Sequence, residues 1–145
     1  MPLFDHPLNL WDTGNIIYMQ FMFEYATSFD QPLNSWNTSN VTVMTGMFNN
    51  ASAFDQNISS WDIRKVGTID TPIGSSGAVQ FCRQTSLSTA NYDLLLVAWN
   101  SNTPVVPNLI INFTPTKYSL GSAADTARTN LITTYGWTIT DGGPI

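Results

Sequence analysis

Hydrophobic and polar positions recur along this chain with a period of 25 residues. Phe4, Phe29 and Phe54 stand at that spacing, and so do Trp11, Trp36 and Trp61. The shared pattern is F-D-x-x-[LI]-x-x-W, and residues 4–28 and 29–53 are identical at 12 of 25 positions. One such unit cannot bury its apolar side alone, whereas stacked units can, so the period predicts a solenoid. Within the second unit, Met44, Met47, Phe48 and Ala51 fall at i, i+3, i+4 and i+7. That spacing predicts a short helical turn, which Met19, Met22, Phe23 and Ala26 repeat one unit earlier. Residues 35–39 predict a short strand, with Trp36 and Thr38 on one side and Ser35, Asn37 and Ser39 on the other. Phe, Leu or Ile, Trp, Val and Met then form columns through a shared core.

The third unit starts in the same way and then departs. Pro72-Ile73 stands where Met47-Phe48 stood, and Gly74-Ser75-Ser76-Gly77 follows, which predicts a loop. Beyond it the period changes. Ser88 is placed to cap a helix from about Thr89 to Trp99, with Tyr92, Leu95, Leu96 and Trp99 as its apolar stripe. Leu109, Ile111 and Phe113 alternate as a strand. Ser122 opens a second helix ending near Tyr135, with Gly136 at its C-cap. Trp137-Thr138-Ile139-Thr140 then repeats the pattern of Trp61-Asp62-Ile63-Arg64. The fold class is α/β: a solenoid of short strands and helical turns, closed by a helix-strand-helix-strand segment. Residues 1–145 are read as one domain. Residues 4–66 are regular repeats, 67–87 an irregular loop and 88–143 closing coils.

Composition narrows the function. Hydrophobic residues make up 43% of 145, enough for a core. Charged residues are 10%, against roughly 25% in ordinary soluble domains. Asn, Thr and Ser supply the polar surface instead. The net charge is -5 with five basic residues, which excludes nucleic acid as a partner, since phosphate binding needs clustered Lys and Arg. No stretch is long enough to span a membrane. Met1-Pro2-Leu3-Phe4 has neither the basic start nor the apolar run of a signal peptide. The single cysteine, Cys82, has no intrachain partner and no metal motif around it, and is read as a buried thiol.

Two acidic columns follow the repeat. Asp5, Asp30 and Asp55 form one; Asp12, Asn37 and Asp62 form the other. Stacked carboxylates could hold Ca²⁺, but the favoured reading is a turn-capping residue repeated because the backbone repeats. His6 takes the place of Gln31 and Gln56 and belongs to no triad. Five N-x-[ST] sequons, beginning at Asn37, Asn40, Asn50, Asn57 and Asn112, are attributed to composition. No catalytic constellation emerges, so the chain is read as a non-enzyme. The polar face of the strand ladder is the candidate partner surface: Asp12, Ser35, Asn37, Ser39, Ser60, Asp62 and Arg64. Leu3, Phe4 and Leu8 begin mid-array and are the candidate assembly end, where open columns would meet another repeat or another chain.

The run F-D-Q-P-L-N-S-W-N-T-S-N-V-T-x-M-x-x-M-F-x-x-A, from Phe29 to Ala51, resembles the BspA-like leucine-rich-repeat surface proteins. The stretches Tyr92 to Trp99 and Gly136 to Gly143 are similar to the closing segment that often follows such arrays. The resemblance implies a leucine-rich-repeat-like fold, a cell-surface or secreted role, and adhesion to host proteins or to other cells; the partner is read as a protein or glycan, and the location as extracellular, cell-surface or virion-associated. It implies no catalytic residues and no cofactor. The alternative reading is a structural subunit of a virion, tail fibre or extracellular filament, joined through the N-terminal repeat.

Overall fold

The computed structural model describes residues 3–67 and 80–145. Among them, four regular elements form: helix α1 (Thr89–Ser101), strand β1 (Ile110–Asn112), helix α2 (Ala123–Thr133) and strand β2 (Thr138–Thr140). All four follow the repeats. The first two units hold neither helix nor strand, apart from one parallel bridge between Tyr18 and Val43.

The helical turn expected over Met44 to Ala51 is instead a run of turns. The apolar residues of that stripe are nonetheless buried: Met44, Met47, Phe48 and Ala51. A helix fails because its N–H groups are used sideways. Met19, Phe21, Phe23 and Tyr25 donate to the carbonyls of Val43, Thr45, Met47 and Asn49 at 2.8–2.9 Å. Phe48 and Asn50 donate in turn to Phe81 and Arg83. Left-handed backbone at Gly46 (φ 63°) and Asn50 (φ 61°) also breaks the helical run.

The strand expected over residues 35–39 is absent as well. Threonine side chains join the units there. Thr13 Oγ1 donates to Asn37 O (3.2 Å) and accepts Asn37 N–H (2.9 Å). Thr38 Oγ1 makes the same pair of bonds to Asp62 O (3.0 Å) and Asp62 N–H (2.8 Å). One hydroxyl thus satisfies a donor and an acceptor of the neighbouring backbone.

The lateral ladder continues past the regular repeats. Cys82 N–H reaches Asn112 O (3.2 Å) and Gln84 N–H reaches Thr114 O (2.6 Å). β1 then pairs in parallel with β2, Ile111 opposite Ile139. Gln80 and Gln84 repeat the left-handed positions of Gly46 and Asn50, with φ of 61° and 59°. The loop expected at Pro72 to Gly77 lies outside the described residues.

Ser88 caps α1 by accepting Asn91 N–H, and Ser122 caps α2 by accepting the N–H groups of Ala124 and Asp125. Gly136, at φ 71°, turns the chain out of α2 into β2. The buried apolar side chains form one cluster that runs from Leu8 to Trp137. Trp36 and Trp61 are inside it, with their indole N–H groups on Leu8 O and Leu33 O. Trp11 is an exception among the columns: it is 55% exposed.

Candidate functional site

The polar row is built from turn caps. Asp12 Oδ1 accepts Gly14 N–H (3.1 Å), Asn37 Oδ1 accepts Ser39 N–H (3.1 Å) and Asp62 Oδ1 accepts Arg64 N–H (3.0 Å). Each is the same side-chain-to-backbone turn, two residues long. Ser35 and Ser60 tie units together by donating to Asn9 O and Asn34 O. The row exists, but as a set of turns joined by hydroxyls and not as the face of a strand.

At its far end the row meets a residue from much later in the chain. Ser39, Asp62, Arg64, Lys65 and Pro104 line a notch of about 340 Å³. Arg64 is tied to Asp62, with its Nη2 2.5 Å from Oδ2 and its Nε 2.9 Å from Oδ1. The Arg64 hydrogen bond holds the Asp62 carboxyl below its ordinary value of 3.8 and keeps the guanidinium charged. Lys65 Nζ rests on Asn40 Oδ1 (2.7 Å). One carboxylate and two cations leave the notch with one net positive charge on a chain of net charge -5. Lys65 was legible as the neighbour of Arg64. Nothing in the sequence places Pro104 here; it arrives through the turn after α1.

The other acidic column is also structural. Asp5 Oδ1 accepts Asp30 N–H and Gln31 Nε2, and Asp30 Oδ1 accepts Asp55 N–H and Gln56 Nε2. Asp55 Oδ1 closes the series on Ser88 N–H and Asn91 Nδ2 at the start of α1. Each carboxylate faces donors in the next unit, and the Gln31 amide lowers the Asp5 pKa. Among the described residues no three His, Cys, Asp or Glu side chains gather in reach of one metal ion.

The residues named as an assembly end separate. Leu3 is 89% exposed, Phe4 is half-buried against Phe29 (ring centroids 5.7 Å apart), and Leu8 is core. Leu8 is therefore not part of an open surface: its side chain is buried, and its carbonyl holds the Trp36 indole N–H. The exposed apolar groups of this unit are others: Leu10, Trp11, Ile17, Tyr18, Phe21 and Tyr25. A signal for two of them was present in the sequence, since Phe21 and Tyr25 replace Gly46 and Asn50 of the second unit.

His6 is exposed with its ring edge-on to Phe4. Cys82 is buried, and burial pushes its thiol pKa up, which makes it unreactive. Among the described residues, one ion pair is largely buried, and it lies in the closing segment. Arg128 Nε and the Tyr92 hydroxyl both donate to Asp141 Oδ2, at 2.7 and 2.8 Å. Gly143 N–H donates to Oδ1, and the Arg128 guanidinium lies 4.8 Å from the centre of the Tyr118 ring. Burial first, and the Asp141 charge second, keep the Tyr92 hydroxyl protonated. The cluster is a clamp between α1, α2 and the end of β2.

No described helix is long and apolar enough to cross a membrane. No curated protein and no solved structure matches the chain. A family pattern does match, over residues 1–86, which take in both complete repeats and more than half of the chain. The chain belongs to the family described as Mycoplasma protein of unknown function, DUF285.

Proposed function

We propose that the chain is a non-enzymatic, surface-exposed binding module built as a leucine-rich-repeat-like solenoid. It presents its row of polar turns to a protein or glycan. The observation that carries this reading is the notch, where Ser39, Asp62, Arg64 and Lys65 converge on Pro104. Two of the chain's five basic residues stand there together. An anionic group on the partner, a carboxylate or a sulfate, is the chemistry that one net positive charge would hold. Tight internal bonding of the row supports the reading, because a site held by its own turns meets a partner without prior ordering.

The test is binding of the purified chain to immobilised acidic and neutral glycans and to acidic and neutral proteins. Retention on acidic ligands, lost in the double variant Arg64→Ala/Lys65→Ala with an unchanged melting temperature, is the expected result. Equal retention by the variant, or none on any acidic ligand, would overturn the reading.

A further inference from the structure

The notch sorts its hydrogen-bonding groups by kind. Asp62 is filled by Arg64: Oδ1 accepts the backbone N–H and Nε, and Oδ2 accepts Nε and Nη2. That grip fixes the guanidinium by one edge. Among the described residues its Nη1 amine bonds to nothing, so the end of the fork is left as a pair of donors on a half-exposed side chain. Lys65 adds a second positive charge.

Ser39 lines the same notch and offers the reverse. Its Oγ–H donates to Asn37 Oδ1 at 2.7 Å, and that same oxygen accepts the Ser39 N–H. The hydroxyl proton is therefore spent, and Ser39 Oγ meets a ligand only as an acceptor. Neighbouring hydroxyls of the row are committed in the same way, Ser35 to Asn9 O and Ser60 to Asn34 O. A cationic fork thus shares the notch with an acceptor that needs an O–H or N–H partner. A bare oxyanion satisfies the fork and leaves the acceptor unmatched.

Resting on the reading of the notch as an anion site, we infer that its ligand is a carboxylate-bearing sugar of the uronic acid class. The carboxylate takes the free end of the Arg64 fork as a bidentate pair, and a ring hydroxyl beside it donates to Ser39 Oγ. Ring carbons hold those two groups close together, so one rigid unit meets both. An ionised Asp or Glu side chain of a protein partner is acceptor-only and brings no donor beside its carboxylate. A sulfate ester carries its charge one bond farther from the ring than a carboxylate does. The volume of about 340 Å³ lies at the small end of ligand sites, and Pro104 gives an apolar wall for the C–H face of the ring. The spent hydroxyls of Ser35 and Ser60 continue the acceptor pattern along the row, which suits the hydroxyls of a further sugar.

The probes are methyl glucuronoside, methyl glucoside and its sulfate ester, acetate and capped glutamate. Each is titrated into the isotope-labelled chain and read from NMR shifts of the Arg64 Nε–H and of the amides of residues 37–39 and 62–65. The glucuronoside should bind about fivefold more tightly than acetate, the sulfate ester or capped glutamate, the worth of one added hydrogen bond. The uncharged glucoside should bind more weakly than the glucuronoside. Ser39→Ala removes the acceptor but not the turn, which Gly14 makes in the first unit without a hydroxyl. It should cut the glucuronoside's advantage to under about twofold and leave acetate unchanged. Arg64→Lys keeps the charge, loses the fork and should weaken glucuronoside and acetate alike. Equal affinity for acetate and glucuronoside, or an advantage that survives Ser39→Ala, would overturn the inference while the anion site stands. So would a capped glutamate or a sulfate ester that matches the glucuronoside. Absence of any anion-induced shift at residues 62–65 would overturn both the inference and the reading it rests on.

Discussion

The rings of Phe29 and Phe54 lie 6.3 Å apart and 5° from parallel, and those of Trp36 and Trp61 lie 6.3 Å apart at 4°. After the repeats, Trp99 meets Phe113 at 47° and Trp137 at 58°, and Phe81 meets Phe113 at 82°. Both regions continue one lateral ladder. They differ in how the space beside it is filled. Similar units translated side by side place like ring on like ring, so a near-parallel stack follows from repetition. Where the period ends, α1 and α2 pack against the ladder, and unlike side chains interlock at tilted angles, a geometry aromatic pairs also favour. The polar links change in the same way. Repeats are joined by threonine hydroxyls and carboxylate-to-amide bonds along columns, whereas the closing segment is pinned by one buried cluster around Asp141.

The sharpest way to break this contrast is within the stack. Phe54 is fully buried between Phe29 and Phe48, so Phe54→Ala should cost about 3–5 kcal/mol in urea unfolding. A loss under about 1 kcal/mol would mean that the column is not core. Next is the clamp. Asp141→Asn leaves Arg128 mostly buried without its counter-charge, at a cost of about 2–3 kcal/mol. Amide exchange should then quicken in α2 and β2 while the first two units keep their protection; uniform quickening would show that the two regions open together. The smallest effect belongs to a single repeat link. Thr38→Val preserves shape but orphans the Asp62 N–H, for about 1–2 kcal/mol. If Thr38→Val is neutral in chemical unfolding, the hydroxyl bridge is not what joins the units.

Much of this was legible from spacing. The Phe, Leu and Met columns marked the core, and Ser88 and Ser122 marked helix starts because hydroxyl caps leave a local signature. What spacing misjudged was backbone conformation inside the repeats. Met44, Met47, Phe48 and Ala51 have helical periodicity, yet a run of turns buries the same four residues once N–H groups are spent on the next unit. Periodicity reports which side chains face inward, not where the hydrogen bonds go. Trp11 was misjudged because its column position is the same as that of Trp36, while its exposure depends on what lies beyond it. The notch was half legible, through Arg64-Lys65. Its other wall, Pro104, is set by the packing of α1 against the third unit, where Asn102 Nδ2 reaches Trp61 O.

By itself, the sequence determined the period, the composition of the core columns, the turn caps at Asp12, Asn37 and Asp62, and the starts of both helices. Each is a local matter of spacing, capping or side-chain chemistry. Tertiary structure alone decided that the repeats hold turns in place of helices and strands, because a neighbour one unit away competes for the same N–H groups. It also decided which basic residues share a notch with Pro104. Those depend on contacts between residues far apart in the chain, which no window along the sequence contains.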